Sequence, residues 1–500
     1  MPVEMLPTAR RTILRVLSFL PGLALLCSPA AHTASEAPFG GKPWSLPGEV
    51  QAENFDTGGQ NVSYYNPDGA NLYGKYRPST KISIENATDT DGGHDVGATR
   101  TGGWMNYTVA VATAGTYSIS VRVASSGQGG FFHFKLDGAD ATARLLVPDT
   151  GGWQSWTTLS APIALPAGKH ILQLYLDQAS AATASVGNFN WFSVAAPAAD
   201  TARREVLRTL NGMSGHQTLV GQHNKVNDTP DSATQQITSI TGKMPAYWSA
   251  DFGFGKQVPY RQAMIDEATT QYETGALVGL MYHACPPTLD ESCNWDQIGG
   301  STPVHLNDRQ WNELTTPGTA LFNAWIGRLD MLATYFQQMK DAGQAVMFRP
   351  LHEMNQCVFW WACHSGANGS ARLYQITHDY LAYTKGLDNI IWVWSVVDVS
   401  TLASDVGTYN PGASEYDIAS LDVYNSDYPI ANYRAMLGAA GSKPIAISES
   451  AILPTAEQLA AQPKWLYVSL WPDYIGQNAS TLPALYWAPA VTTLDKMPGW

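Results

Sequence analysis

From about residue 203 onward the chain alternates short apolar runs with helical segments, and this alternation restricts the fold more than any other feature of the sequence. The runs are LVGQ, MPAYWSADF, GALVGLMYH, QAVMFRPLHE, NIIWVWS, YDIASLDVY, KPIAISES and PALYWAP. Strands that return through helices in this way predict a parallel sheet closed as a (β/α)8 barrel over 203–500. In this count Glu353 ends the fourth strand and Glu449 the seventh. Both carboxyls then stand at the C-terminal mouth, where barrel enzymes place their chemistry. Only about a dozen residues follow PALYWAP, so the closing helix is expected to be short or absent.

A carboxylate that closes a run such as AVMFRPLHE is costly to desolvate unless something uses or pairs it. One such Glu reads as a barrel-end ion pair with Arg349 or Lys443. Two of them facing each other across a barrel mouth rich in aromatics favour an acid and a nucleophile. Carboxyls ~5–5.5 Å apart would make the reaction retaining, and ~6.5–9.5 Å would make it inverting.

Ahead of the barrel, Val50 to Val194 shows short alternating runs (YTVAVAT, YSISVRVA, FFHFKLDG, HILQLYLD, FNWFSV) broken by Gly, Asn, Asp and Pro. This predicts an all-β sandwich over 48–195, joined to the barrel by a linker at 196–202. The chain is therefore multidomain, and its 500 residues with 45% apolar content suffice for two cores. A net charge of -13 argues against a polyanionic partner, so nucleic acid is not expected. Seventeen Trp and 23 Tyr in a chain only 14% charged suit stacking on neutral sugar rings, beside their use in the core.

At the N-terminus Arg10, Arg11 and Arg15 precede VLSFLPGLALLC and then SPAAHTA. This reads as a secretory signal peptide over 1–35, hence an extracellular protein, with no membrane association after cleavage. A lipoprotein signal at Cys27 is the rival, but Leu26 stands where a small residue is wanted. Losing Cys27 leaves two close pairs, Cys285–Cys293 and Cys357–Cys363. In an exported chain they read as two local disulfides. No HExxH or comparable ligand spacing points to a metal hydrolase, and a monomer is expected.

The runs FRPLHEMNQCVFWW, IASLDVYN and KPIAISES together resemble glycoside hydrolase family 26, which includes β-mannanases, over about 211–490. The resemblance implies a retaining double displacement without a cofactor, with Glu353 as acid/base and Glu449 as nucleophile. It further implies that Tyr424 contacts the nucleophile, His283 reaches a substrate hydroxyl and His352 bonds substrate or carboxyl. Arg349 would pair with a carboxylate and keep the nucleophile ionised. Trp487 would be the indole platform under the sugar at the cleavage point. Of Trp360 and Trp361, one is expected to stack on the leaving-side sugar and one to be core. The chain departs from the family where it reads ISESA around the nucleophile and Gln356 after HEMN. The expected activity is a retaining endo-β-1,4-mannanase on mannan, glucomannan or galactomannan. A β-1,3-xylanase or mixed-linkage β-glucanase of the same family, and a non-catalytic glycan-binding protein, are the alternatives.

VQAENF and VGNFNWFSV resemble β-sandwich carbohydrate-binding modules of families 6 and 35. That likeness implies a structural Ca2+ on Gln51, Glu53 and Asn190, oxygen donors suited to a hard cation. It also implies a sugar held by Trp153 and Asn188. The family's opposing aromatic is Ala98 here, so binding is expected to be weak, directed to a chain end, or shifted to Tyr64, Tyr65 or Trp104.

Overall fold

The computed structural model describes residues 35–90, 92–196 and 202–499. The segment expected to be a signal peptide, all but Ser35, and most of the linker expected at 196–202 lie outside the described residues. Two antiparallel-rich sheets form the N-terminal sandwich, whose strands run from Trp44–Leu46 to Asn188–Ala195. Alternation decides the faces. Leu172, Leu174 and Leu176 from one sheet bury against Ile119, Val121 and Val123 from the other, while the intervening residues face out. Edge-to-face pairs Phe132–Phe189 (4.9 Å) and Phe134–Phe192 (5.2 Å) lock the two layers.

The second unit is a closed parallel barrel. Its eight strands are Thr218–Asn224, Tyr247–Asp251, Leu277–Tyr282, Val346–Pro350, Ile390–Val397, Ile418–Val423, Ile445–Ser450 and Trp465–Leu470. The first seven coincide with the runs expected to form strands. The eighth does not: it is WLYVSL, whereas PALYWAP contributes the short helix Leu482–Tyr486, with Pro483 in its first turn. Proline lacks the N–H a central strand must donate but fits a helix start, which accounts for the difference. The expectation of about a dozen residues after the last strand falls with it. Short helices follow Leu470, and Val491–Thr492 pairs with the start of the first strand.

Side chains pointing into the barrel form layers. At the bottom Leu219, Tyr247, Met347, Ile391, Val393, Ile418, Ala446 and Tyr467 pack together. Tyr247 lies so close to two neighbouring strands that a Cβ on Gly221 or Gly279 would stand within 2.5 Å of its ring or hydroxyl. Further toward the C-terminal ends of three of these strands the inward positions become Arg349, Ser395 and Asp422, with Glu449 beside them on the seventh. A charged layer thus sits on an apolar plug and under the open mouth.

The sandwich is fixed to the barrel wall by buried contacts. Phe131 meets Phe322 edge-on (6.1 Å) and lies under the Arg372 guanidinium, 4.7 Å from its ring centre. The Ala181 N–H donates to the Pro317 carbonyl (2.8 Å), and the Thr384 hydroxyl to the Leu146 carbonyl (3.1 Å). Among the described residues no helix is long and apolar enough to cross a membrane.

Candidate active site

The strand-four end reads Arg349-Pro350-Leu351-His352-Glu353. Leu351 and Glu353 both take a left-handed backbone (φ 50° and 52°), a conformation costing on the order of 1–3 kcal/mol that persists only when packing imposes it. The kink places His352 and Glu353 on the wall of a cleft of about 530 Å3 at the barrel mouth, the size of a ligand site. His283, Tyr424 and Glu449 line the same cleft, so five of the residues singled out from sequence converge there.

Arg349 lies beneath them and does not line the cleft. Its Nη1 donates to Asp422 Oδ2 (2.7 Å) and its Nη2 to Glu449 Oε1. The Tyr424 hydroxyl donates to the other Glu449 oxygen, Oε2, at 2.6 Å. Asp398 accepts the N–H groups of Tyr424 (3.0 Å) and Asn425 (3.1 Å), holding the loop that carries Tyr424. One carboxyl oxygen each from Glu353, Asp422 and Glu449 lies within 4.8 Å of the others.

Burial splits the carboxyls. Glu353 is pushed well above the ordinary Glu value by burial, then by the charges of Asp422 and Glu449. Burial would raise Glu449 too, but the adjacent Arg349, the nearby imidazoles and the Tyr424 hydroxyl hold it below 4.5. Asp422 is pushed up to about 8 by burial and by Glu449, against Arg349 and Ser395. Of the two carboxyls that share Arg349, the one facing the cleft is the one kept ionised. Such opposed shifts in adjacent carboxyls mark an acid and a nucleophile.

Three imidazoles surround the pair. His223 is held down to about 4 by burial, accepts or donates at Ser249 Oγ (3.0 Å) and stacks on Trp471 (4.5 Å, 10° between planes). His352 is lowered well below its ordinary value by burial and by His283. His283 is bonded through Nδ1 to Asp251 and through Nε2 to His352 Nε2 (3.1 Å). Both His283 nitrogens therefore have protein partners, and the expected bond to a substrate hydroxyl would require one of them to exchange.

Two aromatic assignments are corrected. Trp487 is 63% exposed, donates to the Thr241 carbonyl and packs under Lys243, outside the cleft. With the eighth strand at Trp465–Leu470, the indole at its mouth end is Trp471, which lines the cleft. Neither Trp360 nor Trp361 stacks on sugar: both are fully buried, their indole N–H groups taken by the Ala284 and His352 carbonyls. On that side the cleft is lined by the exposed indole of Trp295 and the buried ring of Phe359. Asp251, Asp422, Asp398, Trp295, Phe359 and Trp471 were missed from sequence. Asp251 and Asp422 carried the same signal as the two Glu, a carboxylate closing an apolar run. Disulfides Cys285–Cys293 and Cys357–Cys363 close the two loops flanking the cleft.

In the sandwich, Asn188 Nδ2 donates to Glu85 Oε1 (2.9 Å) and to the Trp153 carbonyl (3.1 Å), and Trp153 is 36% exposed. Of the three substitutes for the missing aromatic, Tyr64 is core, and Tyr65 and Trp104 border a crevice of only about 10 Å3 beside Ala98, room for a single water. The exposed ring is Tyr73: a Cβ on Gly97 would stand 3.1 Å from Tyr73 Cε2, Asn188 Oδ1 and Glu85 Oε1 alike. Glu53 and Asn190 are buried, Asn190 Nδ2 donating to Asp89 (3.2 Å), and Gln51 donates to Glu49 (3.0 Å).

Residues 195–495 match the family model of glycosyl hydrolase family 26, and residues 74–196 that of carbohydrate binding module family 6. A mannan endo-1,4-β-mannosidase of Thermothelomyces thermophilus is 29% identical over 321 residues, 61% of this chain and 63% of that protein. The chain thus spans somewhat under two thirds of that relative's length. The solved GH26A of a Muricauda species is 30% identical with a TM-score of 0.56, covering 60% of this chain and 98% of its own. A Podospora anserina GH26-CBM35 β-(1,4)-mannanase, 22% identical, aligns over 91% of this chain and 99% of its own with a TM-score of 0.50, which extends the likeness of fold to both units.

Proposed function

The chain belongs to glycosyl hydrolase family 26, and from that premise we propose that it is a secreted, retaining endo-β-1,4-mannanase. The observation that carries the retaining part is the approach of Glu353 and Glu449 oxygens to within 4.8 Å. A gap that short matches the closely set carboxyls of retaining enzymes and falls below the ~6.5–9.5 Å spacing of inverting ones. The mannan part is supported by the named activities of the relatives.

In this reading Glu449, ionised beside Arg349, attacks the anomeric carbon while Glu353 passes its proton to the departing glycosidic oxygen. The C–O bond to the leaving sugar breaks and a glycosyl ester to Glu449 forms. Esterification removes the Glu449 charge, one of the charges that keep Glu353 protonated. Glu353 can then act as base toward the incoming water, which cleaves the ester and restores both groups. Trp471 supplies the apolar floor under the reacting sugar, and Tyr424 and Arg349 hold the two nucleophile oxygens in place.

Sugar release from mannan, glucomannan, β-1,3-xylan and barley β-glucan tests the assignment. Mannan cleaved to short oligosaccharides is expected, and activity confined to another polymer would keep the carboxyl roles but overturn the substrate. Glu449→Ala should abolish turnover with the fold intact. Glu353→Ala should slow substrates with good leaving groups less than those with poor ones, and an equal loss on both would remove it as the acid.

For the sandwich, Trp153 and Tyr73 are the stacking faces and Asn188 and Glu85 the polar contacts of a glycan site. A structural calcium on Gln51, Glu53 and Asn190 is supported by the burial of Glu53 and Asn190 and by oxygen-only donors. EDTA should lower the melting temperature of the full chain, with recovery on adding Ca2+; an unmoved transition removes the ion.

A further inference from the structure

Trp487 is the most exposed large apolar side chain among the described residues, yet it is held in one orientation. Its indole N–H donates to the Thr241 carbonyl (2.9 Å), at the end of the helix Ser232–Thr241, and the Lys243 ammonium stands 4.6 Å from the ring centre. Lys243 is in turn paired with Asp495 (2.5 Å). With its edge bonded and one face under a cation, the ring offers its other face to water. An indole fixed in this way loses little freedom when something stacks on it.

Beyond that ion pair the surrounding surface is uncharged. Residues 232–242 and 474–494 contain no Asp, Glu, Lys, Arg or His, and the helices Ser232–Thr241 and Leu482–Tyr486 within them pack together. Their exposed side chains include the amides of Gln235 and Gln236 and the hydroxyls of Ser239, Ser480 and Thr481. Trp487 is the only exposed large apolar side chain on these two segments. A protein partner needs about 20–30 residues a side around a cluster of desolvated anchors. A single ring among amides and hydroxyls suits a neutral pyranose instead, whose C–H face stacks while its hydroxyls bond the surround.

This wall is remote from both sites described above. The Ala490 carbonyl accepts from the N–H of Thr218 (3.0 Å), the first residue of the first barrel strand, so Trp487 lies near the N-terminal rim of the barrel. The cleft opens at the other end of that strand, about 20 Å away along its 7 residues. The sandwich is fixed to segments between the third and fifth strands, across the barrel from the first and eighth.

We propose that Trp487 is the platform of a glycan-binding site on the outer wall of the barrel, which takes the backbone of a neutral β-linked polysaccharide and holds the enzyme on polymer without occupying the cleft. The choice of a β-linked polymer rests on the glycosidase reading of the cleft. The site itself rests on the fixed indole and its uncharged surround.

The test uses the full chain in affinity gels containing glucomannan. Glu449→Ala prevents cleavage of the gel polymer, and Tyr73→Ala with Trp153→Ala removes the stacking faces of the sandwich. In that background Trp487→Ala should weaken retention about three- to tenfold, the worth of one aromatic stack, and Trp487→Tyr should keep most of it. In the otherwise wild-type chain Trp487→Ala should leave kcat/KM on mannohexaose unchanged and slow the attack on insoluble mannan. Retention unmoved by Trp487→Ala would overturn the site. An equal loss on mannohexaose would also overturn it, because the ring would then be acting on the cleft through the fold. A wild-type chain that runs as a dimer and turns monomeric on Trp487→Ala would replace the glycan by a second copy of the chain. Retention that depends on Trp487 in a wild-type protein that cleaves no mannan would uphold the site and overturn the proposed activity.

Discussion

Replacing Arg349 by Met should displace the pH profile of the enzyme rather than merely weaken it. Among the described residues Arg349 is the only guanidinium in contact with Glu449 and Asp422, and all three groups are buried. With it, Glu449 stays below 4.5 although burial opposes ionisation. Without it burial and the neighbouring carboxyls are opposed only by the nearby imidazoles and the Tyr424 hydroxyl, and buried Glu residues lacking a cation rise to about pH 8–9. At pH 6 such a group is ionised to roughly 1%, so kcat/KM should fall about 100-fold there and recover toward alkaline pH. Glu353, which Arg349 also holds down, should move up in parallel, carrying the basic limb with it. Stability should fall by about 3–5 kcal/mol at pH 7, the cost of stranding a buried charge. The sign of its pH dependence should also reverse. In wild type the depressed Glu449 stabilises the fold above the unfolded carboxyl value, and this is lost as pH falls through the lower folded value. In the variant a raised carboxyl favours the fold at low pH and loses that contribution as pH climbs. The assay is kcat/KM on a soluble substrate from pH 3.5 to pH 9 beside urea midpoints over the same range. A uniform, pH-independent loss of activity with an unmoved acid limb would refute the account.

His378 sits buried between Asp379 (3.0 Å) and Glu415 (3.1 Å), near Arg372 and against Trp392. Burial alone would lower it, but the two carboxylates raise it to about 9. Its stabilising contribution should be complete below 6.5 and fade as pH rises through about 9. His378→Ala should therefore cost about 3 kcal/mol in urea unfolding at pH 6 and progressively less by pH 10, and a cost independent of pH would count against the charged pairing. Removing the sandwich uncovers Phe322 and Arg372 and deletes Phe131, a buried aromatic worth on the order of 2–3 kcal/mol. The barrel at 203–500 expressed alone should melt several degrees below the full chain, whereas coincident transitions would mean that the two units are merely tethered. In the sandwich, Tyr73→Ala and Trp153→Ala should each weaken glycan retention on an affinity gel by roughly three- to tenfold, while Tyr64→Ala should instead lower the melting temperature.

What was legible in the sequence was mostly what stands at strand ends. Glu353, Glu449, Tyr424, His283 and His352 each close an apolar run, and the strands deliver them to one cleft. Asp251 and Asp422 close such runs too, and a consistent use of the desolvation argument finds them. Trp471 was hidden because two apolar aromatic runs, at 465–470 and 483–489, follow the seventh strand, and the one chosen contains Pro483. Two prolines in PALYWAP and its flank disfavour a central strand, so the signal was present. The fate of Trp360 and Trp361 was not readable: whether an indole is core or platform depends on which carbonyls meet its N–H, and these come from residues 284 and 352. Tyr73 was equally out of reach, since it gathers with Glu85 and Asn188 around Gly97 from well-separated parts of the chain.

The charge balance of the cleft floor explains why one arginine suffices for two opposite roles. Glu353 and Asp422 favour their protonated forms, Glu449 is ionised and Arg349 is cationic, so the buried cluster is close to neutral before reaction. His223 and His352, both lowered, add no charge near neutral pH. In the proposed reaction the ester at Glu449 cancels the only carboxylate that balances Arg349. An uncompensated buried cation is expensive, and it is relieved when a nearby carboxyl gives up its proton. Glu353 is the one whose proton has just been taken by the leaving oxygen. Its new charge lies in the field of the same guanidinium, which stabilises it as the base for the second step. A second cation near Glu353 would weaken the acid in the first step, and none near Glu449 would leave the nucleophile protonated. A single guanidinium beneath the nucleophile, with its influence reaching the acid, satisfies both steps.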